Sequence, residues 1–191
     1  MDEFAELLTR KRQGSLKVYL GYAAGVGKTF AMLQEAHRLR QEGFDVVIGY
    51  VEPHRRPETM ALMEGLEVVP PCKFMLGDAV LTELDVDAVL LRRPQIVLVD
   101  ELAHTNAHGS SRDKRYKDVL AILEAGINVI TTLNVQHLES VAERVEATVG
   151  IPVRERLPSS VLHRADQIVN VDVAKEELRE KCGFSLRAKL D

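Results

Sequence analysis

Six residues, Ala24-Gly25-Val26-Gly27-Lys28-Thr29, lie between an apolar run, Leu16-Lys17-Val18-Tyr19-Leu20, and a helical pattern that begins near Thr29. Strand, glycine-rich loop, Lys-Thr and helix, in that order, are the layout of a phosphate-binding loop. The chemistry requires those residue types. Glycines let successive backbone N–H groups converge on an anion with no side chain in the way. The helix start adds unpaired donors and the positive end of a dipole. In this layout Lys28 reaches the β- and γ-phosphates of a nucleotide, and the Thr29 hydroxyl holds Mg²⁺. The usual pattern has a glycine five places before Gly27; that position is Tyr22, and Gly21 stands one residue earlier. Gly25 and Gly27, in the half of the loop that does most of the cradling, are in place.

A second signal comes at Ile96-Val97-Leu98-Val99-Asp100-Glu101. Four consecutive apolar residues read as a buried central strand of a parallel sheet. Asp100 then falls at the carboxyl end of the strand, where open α/β sheets bind ligands. An acid there holds Mg²⁺, directly or through water, and Glu101 is placed to orient or deprotonate a nucleophile. Either signal alone has an ordinary reading, a capped surface turn or a solvated acidic turn. Together they point to ATP and Mg²⁺ as ligands, with Ala24, Gly25, Val26, Gly27, Lys28, Thr29 and Asp100 as the binding set. No Asn-Lys-x-Asp base-reading string for guanine occurs in the chain.

Strand and helix patterns alternate. Helical spacing covers 29–42, stopped by Gly43, then a short helix over 57–65, and helices over 85–93, 114–125 and 139–148. Strand patterns cover 45–51, 127–133 and 167–173, and 67–73 is a short extended segment broken by Pro70-Pro71. An amphipathic helix fits 1–12, and a last helix 175–181. This order implies right-handed βαβ units: an α/β fold of the P-loop NTPase-like kind, with a mainly parallel sheet covered by helices on both faces. The 191 residues suit a single domain, 1–191, with no internal repeat or linker.

Other polar clusters sit at strand ends. Glu52-Pro53-His54-Arg55-Arg56 follows the second strand; Glu52 would activate an attacking group and Arg55 or Arg56 touch phosphate, or the cluster is a charged surface loop. His104-Thr105-Asn106-Ala107-His108 opens a loop placed to sense a γ-phosphate, and its histidines suit hydrogen bonding better than metal ligation. Lys114 and Arg115 read as solvated. Asn134-Val135-Gln136-His137 would contact nucleotide or substrate, or cap a turn. Arg164 would offer a cation to phosphate, or pair with Asp166.

The net charge of −4 gives no bulk attraction to nucleic acid or to an anionic membrane. Cys72 and Cys182 are far apart and outside any metal-ligand spacing, which fits free thiols in a reducing compartment. No signal peptide and no apolar stretch long enough to span a bilayer is present, so a cytoplasmic location is expected, including as the cytoplasmic part of a larger membrane protein.

The strings Val99-Asp100-Glu101-Leu102-Ala103-His104-Thr105-Asn106 and Asn134-Val135-Gln136-His137-Leu138-Glu139-Ser140, with the Ala-Gly-Val-Gly-Lys-Thr loop, resemble the N-terminal domain of the KdpD potassium sensor histidine kinase family. The likeness runs from about Leu16 to Asp172, and the displaced first glycine belongs to the same family pattern. It implies a cytoplasmic ATP-binding regulatory unit, with the remaining sensor-kinase domains or potassium pump subunits as partners. The histidine-kinase core is not expected within these residues. Two activities follow as expectations. In the first, the domain transfers the γ-phosphoryl to a protein hydroxyl, an atypical serine kinase, with Lys28 stabilising charge and Glu101 or Glu52 as base; water as acceptor makes it a slow ATPase. In the second, it senses ATP and biases an attached kinase without chemistry. A small-molecule kinase fits less well, since no arginine-rich lid is evident.

Overall fold

Val, Ile and Leu fill both faces of the central strands, so each strand must be covered twice. The computed structural model of the chain describes residues 13–22, 24–52, 56–77, 79–150 and 152–171. The helices expected over 1–12 and 175–181, together with His54, Arg55 and Cys182, lie outside those residues. Six strands, β1 (Leu16–Gly21), β2 (Val46–Tyr50), β3 (Glu67–Val68), β6 (Ile96–Val99), β7 (Asn128–Asn134) and β8 (Gln167–Asn170), form one sheet in the order β3-β2-β6-β7-β1-β8. Every pairing in it is parallel.

The period-two rule divides the core. Ile96 and Leu98 of β6 pack with Met32, Leu33, Ala36 and Leu39 of helix α1 (Lys28–Gln41) on one face. Val97 and Val99 pack on the other face with Val89 of α3 (Val86–Arg92) and with Val119, Ile122 and Leu123 of α4 (Arg115–Glu124). Leu62 and Met63 of α2 (Pro57–Met63) join the first face. Val141 of α5 (Glu139–Val149) and Val161 of the one-turn α6 (Ser159–Leu162) join the second. Connections from β1 run one way across the sheet on the first face, and those from β3, β6 and β7 run the other way on the second. The direction reverses at β1 beside β7, which makes the carboxyl ends of those strands the switch point where a crevice opens.

Three features depart from expectation. β4 (Cys72–Leu76) and β5 (Ala79–Glu83) make a separate antiparallel hairpin where a single extended segment over 67–73 is expected. Its exposed Met75, Leu76 and Val80 show no inward-outward alternation that would mark strands. The α6 turn has no amphipathic period to announce it. Arg115, expected in solvent, is 0% exposed. No helix among the described residues is long and apolar enough to cross a membrane.

Asn128 fastens the amino-terminal edge of the sheet. Its Oδ1 accepts the Ser15 N–H at 2.8 Å, and its Nδ2 donates to the Gln95 carbonyl at 2.7 Å, which ties β1, β6 and β7 together. Asn128→Ala orphans the buried Ser15 N–H and should cost about 1–3 kcal/mol. Urea denaturation should show a lower midpoint with an unchanged slope; an unmoved midpoint would remove this role.

Candidate functional site

A cleft of ≈ 280 Å³ opens at the carboxyl edge of the sheet, between the glycine loop, the end of β6 and the end of β7. Gly25 and Gly27 lie at φ +88° and +95°, in the left-handed region that favours glycine. Gly27 caps α1, and the N–H groups of its first turn have no acceptor within the helix. Gly21 explains the shifted glycine pattern. A Cβ there would meet Val26 Cγ2 at 2.6 Å and Lys28 Cδ at 2.9 Å, so the Lys28 stem crosses directly over this backbone.

Lys28 is 8% exposed and lines the cleft. Burial lowers its pKa; Asp100 and Glu101 oppose that shift, and Arg56 adds to it. The Thr29 hydroxyl donates to Asp100 Oδ2 at 3.0 Å. Asp100 is 1% exposed and accepts also from the Thr132 hydroxyl, from the Glu101 N–H at 3.2 Å and from the Glu52 N–H. Burial raises the Asp100 pKa despite these four bonds. Glu101 follows at φ +59°, a conformation rare for a residue with a Cβ; it lines the cleft, and its Oε2 stands 3.9 Å from Arg115.

Most of the residues expected in the site come together here. Ala24, Gly25, Gly27, Lys28, Thr29, Asp100, Glu101 and Asn134 all line the cleft, as do Arg56, His104 and His137. Val26, also expected in the binding set, is buried and is not in the lining. Glu52 is among the described residues but not in the lining: its carboxylate takes the Tyr50 hydroxyl at 3.5 Å, and its N–H serves Asp100. Arg164 is not in the lining either, and Asp166 accepts the Leu16 N–H at 3.0 Å. Asn134 Nδ2 faces His137 Nε2 at 3.5 Å, while Asn134 Oδ1 is buried with no hydrogen-bond partner among the described residues. His137 Nδ1 donates to the Glu155 carbonyl at 2.9 Å, which leaves Nε2 as the acceptor.

A polar chain not visible in the sequence stands behind the cleft. Arg115 donates to Glu83 Oε2 at 2.7 Å and to the Asp100 carbonyl at 3.2 Å, and its guanidinium stacks 3.9 Å over the Tyr50 ring. Glu83, at the end of β5, also accepts the Ala107 N–H at 2.8 Å and pairs with His104 Nε2 at 3.1 Å. Burial works to raise the Glu83 pKa, but the bonds from His104, Ala107 and Arg115 outweigh it and hold the carboxyl below its usual range. Glu155 and Glu83 together push His104 up to about 9. The one signal for Thr132 is its polarity within a buried strand, and none marks Glu83 or Glu155, whose side-chain partners lie 21 or more residues away.

The His104 shift fixes the sign of a pH effect. Its folded pKa lies above the unfolded value of about 6.5, so its stabilisation is complete below pH about 6.5 and is lost as pH rises through about 9. After discounting for partial exposure the loss is on the order of 2 kcal/mol. Chemical denaturation across that window should show falling stability, and His104→Gln should flatten the slope. A wild-type profile that is already flat would contradict the pairing.

The family model for KdpD, the osmosensitive K+ channel His kinase sensor domain, matches residues 12–184. The chain is similar to the sensor protein KdpD of Escherichia coli (strain K12), 48% identical over 180 residues, covering 94% of this chain and 20% of that protein. It is also similar to the sensor protein KdpD of Mycobacterium tuberculosis (strain ATCC 25618 / H37Rv), 52% identical over 176 residues, or 92% of this chain and 20% of that one. A putative sensor protein KdpD of Synechocystis sp. is 51% identical over 170 residues, covering 89% of this chain and 46% of that protein. The chain thus spans between a fifth and a half of the length of these curated relatives.

Proposed function

The chain belongs to the KdpD sensor-domain family, and on that premise we propose that it binds ATP with Mg²⁺ in the cleft and transfers the γ-phosphoryl to a hydroxyl of a protein partner. The observation that carries this reading is the Thr29 hydroxyl 3.0 Å from the buried Asp100 carboxylate, beside Lys28 and two left-handed glycines. A hydroxyl and a carboxylate are hard oxygen donors of the kind Mg²⁺ takes alongside its waters and a phosphate. When bound, the ion neutralises charge on the phosphate oxygens. A carboxylate whose pKa is raised by burial gains most from a cation at that point.

The chain's own residues divide the remaining work. The loop N–H groups between Ala24 and Thr29 and the Lys28 ammonium hold the phosphates and stabilise charge on the transferred group. Arg56 adds positive charge across the loop from Gly25. Glu101, carried into the cleft by its left-handed backbone, takes the proton from the acceptor hydroxyl. Glu52 is a weaker base candidate, because its carboxylate is turned toward Tyr50. The proposed partners are potassium pump subunits and the remaining domains of a sensor kinase, and the proposed setting is the cytoplasm.

A second reading, an ATP sensor with no transfer, draws support from the Asp100–Arg115–Glu83–His104 chain. It joins the cleft to the β4–β5 hairpin and to the loop after β6. Incubation with γ-labelled ATP, Mg²⁺ and pump protein separates the two. Transfer predicts label on a pump hydroxyl; label that stays on ATP while ATP binds favours the sensor. Lys28→Ala should weaken ATP about 10-fold or more under either reading. Glu101→Gln should slow transfer by about 100-fold or more with binding retained. Glu52→Gln should change neither. Transfer at the wild-type rate by Glu101→Gln would rule out Glu101 as the base.

A further inference from the structure

Glu155 is an anion in the wall of a cleft whose other features suit an anion. It lies in the loop between α5 and α6, and lines the cleft with His104, Asn134 and His137. Its Oε1 accepts the Thr105 N–H at 3.3 Å and stands 3.5 Å from His104 Nδ1. His104 Nε2 is committed to Glu83 at 3.1 Å, so both ring nitrogens face carboxylates and both carry protons. The upward shift of His104 agrees with a standing imidazolium.

The two carboxylates are unequal. The Glu83 side chain is 6% exposed and is fixed by three donors: His104, Ala107 and Arg115. The Glu155 side chain is 38% exposed, and its bonds to His104 and Thr105 are the long ones. The weaker, wetter partner is the one that a better anion displaces. An imidazolium N–H and a backbone N–H, both in the loop that begins after Asp100-Glu101, are donors of the sort that stabilise a terminal phosphoryl group.

We infer that the Glu155 carboxylate is an internal stand-in for the terminal phosphoryl: it holds His104 and the Thr105 N–H, and a nucleoside triphosphate takes over those donors by displacing it. This rests on the ATP reading above. Displacement needs only side-chain rotation. The backbone of the loop is fastened separately, by His137 Nδ1 to the Glu155 carbonyl at 2.9 Å and by the Leu157 N–H to the His137 carbonyl at 2.7 Å. A nucleoside diphosphate lacks the terminal group and leaves Glu155 in place. Glu155 is thereby a specificity residue: its release couples the terminal phosphoryl to His104, and through Glu83 to the hairpin.

The test is calorimetric titration of the whole chain with a non-hydrolysable ATP analogue and with ADP, each with Mg²⁺. Glu155→Gln should tighten the analogue about five- to tenfold and leave ADP within about twofold. His104→Gln should move the ratio of the two affinities in the opposite direction. Neither variant alters the backbone bonds that seat the loop. A ratio unchanged or lowered in Glu155→Gln, with both nucleotides binding the wild type, overturns the stand-in role alone. Failure of both nucleotides to bind the wild type overturns the ATP reading and this inference with it.

Discussion

Four parts of the chain meet at one carboxylate. Asp100, at the end of β6, takes hydrogen bonds from Thr29 on α1, Thr132 on β7, Glu101 on its own loop and Glu52 after β2. These donors are hydroxyls and N–H groups; Lys28 acts on it through its charge. Burial still prevails and the pKa rises. The contrast with Glu83 is instructive. That carboxyl is also buried, yet Arg115 and His104 hold it ionised, and it serves as a structural anchor. Asp100 has the opposite balance. It is a costly group for the fold to carry, placed at the switch point of the sheet, and a divalent cation would relieve that cost.

The geometry around it divides into two halves. One is the glycine loop on β1 and α1, where a Cβ at Gly21 would push on Val26 and the Lys28 stem. The other is the loop after β6. Glu101 sits in a strained backbone conformation, His104 is shared between two carboxylates, and Arg115 backs both from the core. Arg115 is a fully buried charge whose guanidinium is spread over Glu83, the Asp100 carbonyl and the Tyr50 ring. Removing one member of such a network leaves the rest unpaired, which makes its geometry close to all-or-none.

What the sequence shows and hides follows from the range of each interaction. The strands that carry the site were legible because a buried parallel strand is a continuous apolar run, as in Ile96 to Val99. The loop was legible because left-handed backbone at Gly25 and Gly27 demands glycine. Strand order was not, because β1 pairs with β7 and β8 across more than a hundred residues and no local pattern records that. The β4–β5 hairpin escaped because its exposed side chains break the alternation. Arg115 reads like any charge beside Lys114, and only the fold places it under Tyr50. Glu155 belongs to no motif; it enters the site because the loop after α5 folds back onto His137.

Magnesium and triphosphate are proposed to meet between Thr29 and Asp100. The most direct measurement is an anomalous difference map from crystals grown with Mn²⁺ and a non-hydrolysable ATP analogue. One peak is expected, bonded to the Thr29 hydroxyl and reaching Asp100 directly or through one water, with the phosphates against the N–H groups of 24–29. A metal peak away from both residues, or phosphates seated elsewhere, would contradict it.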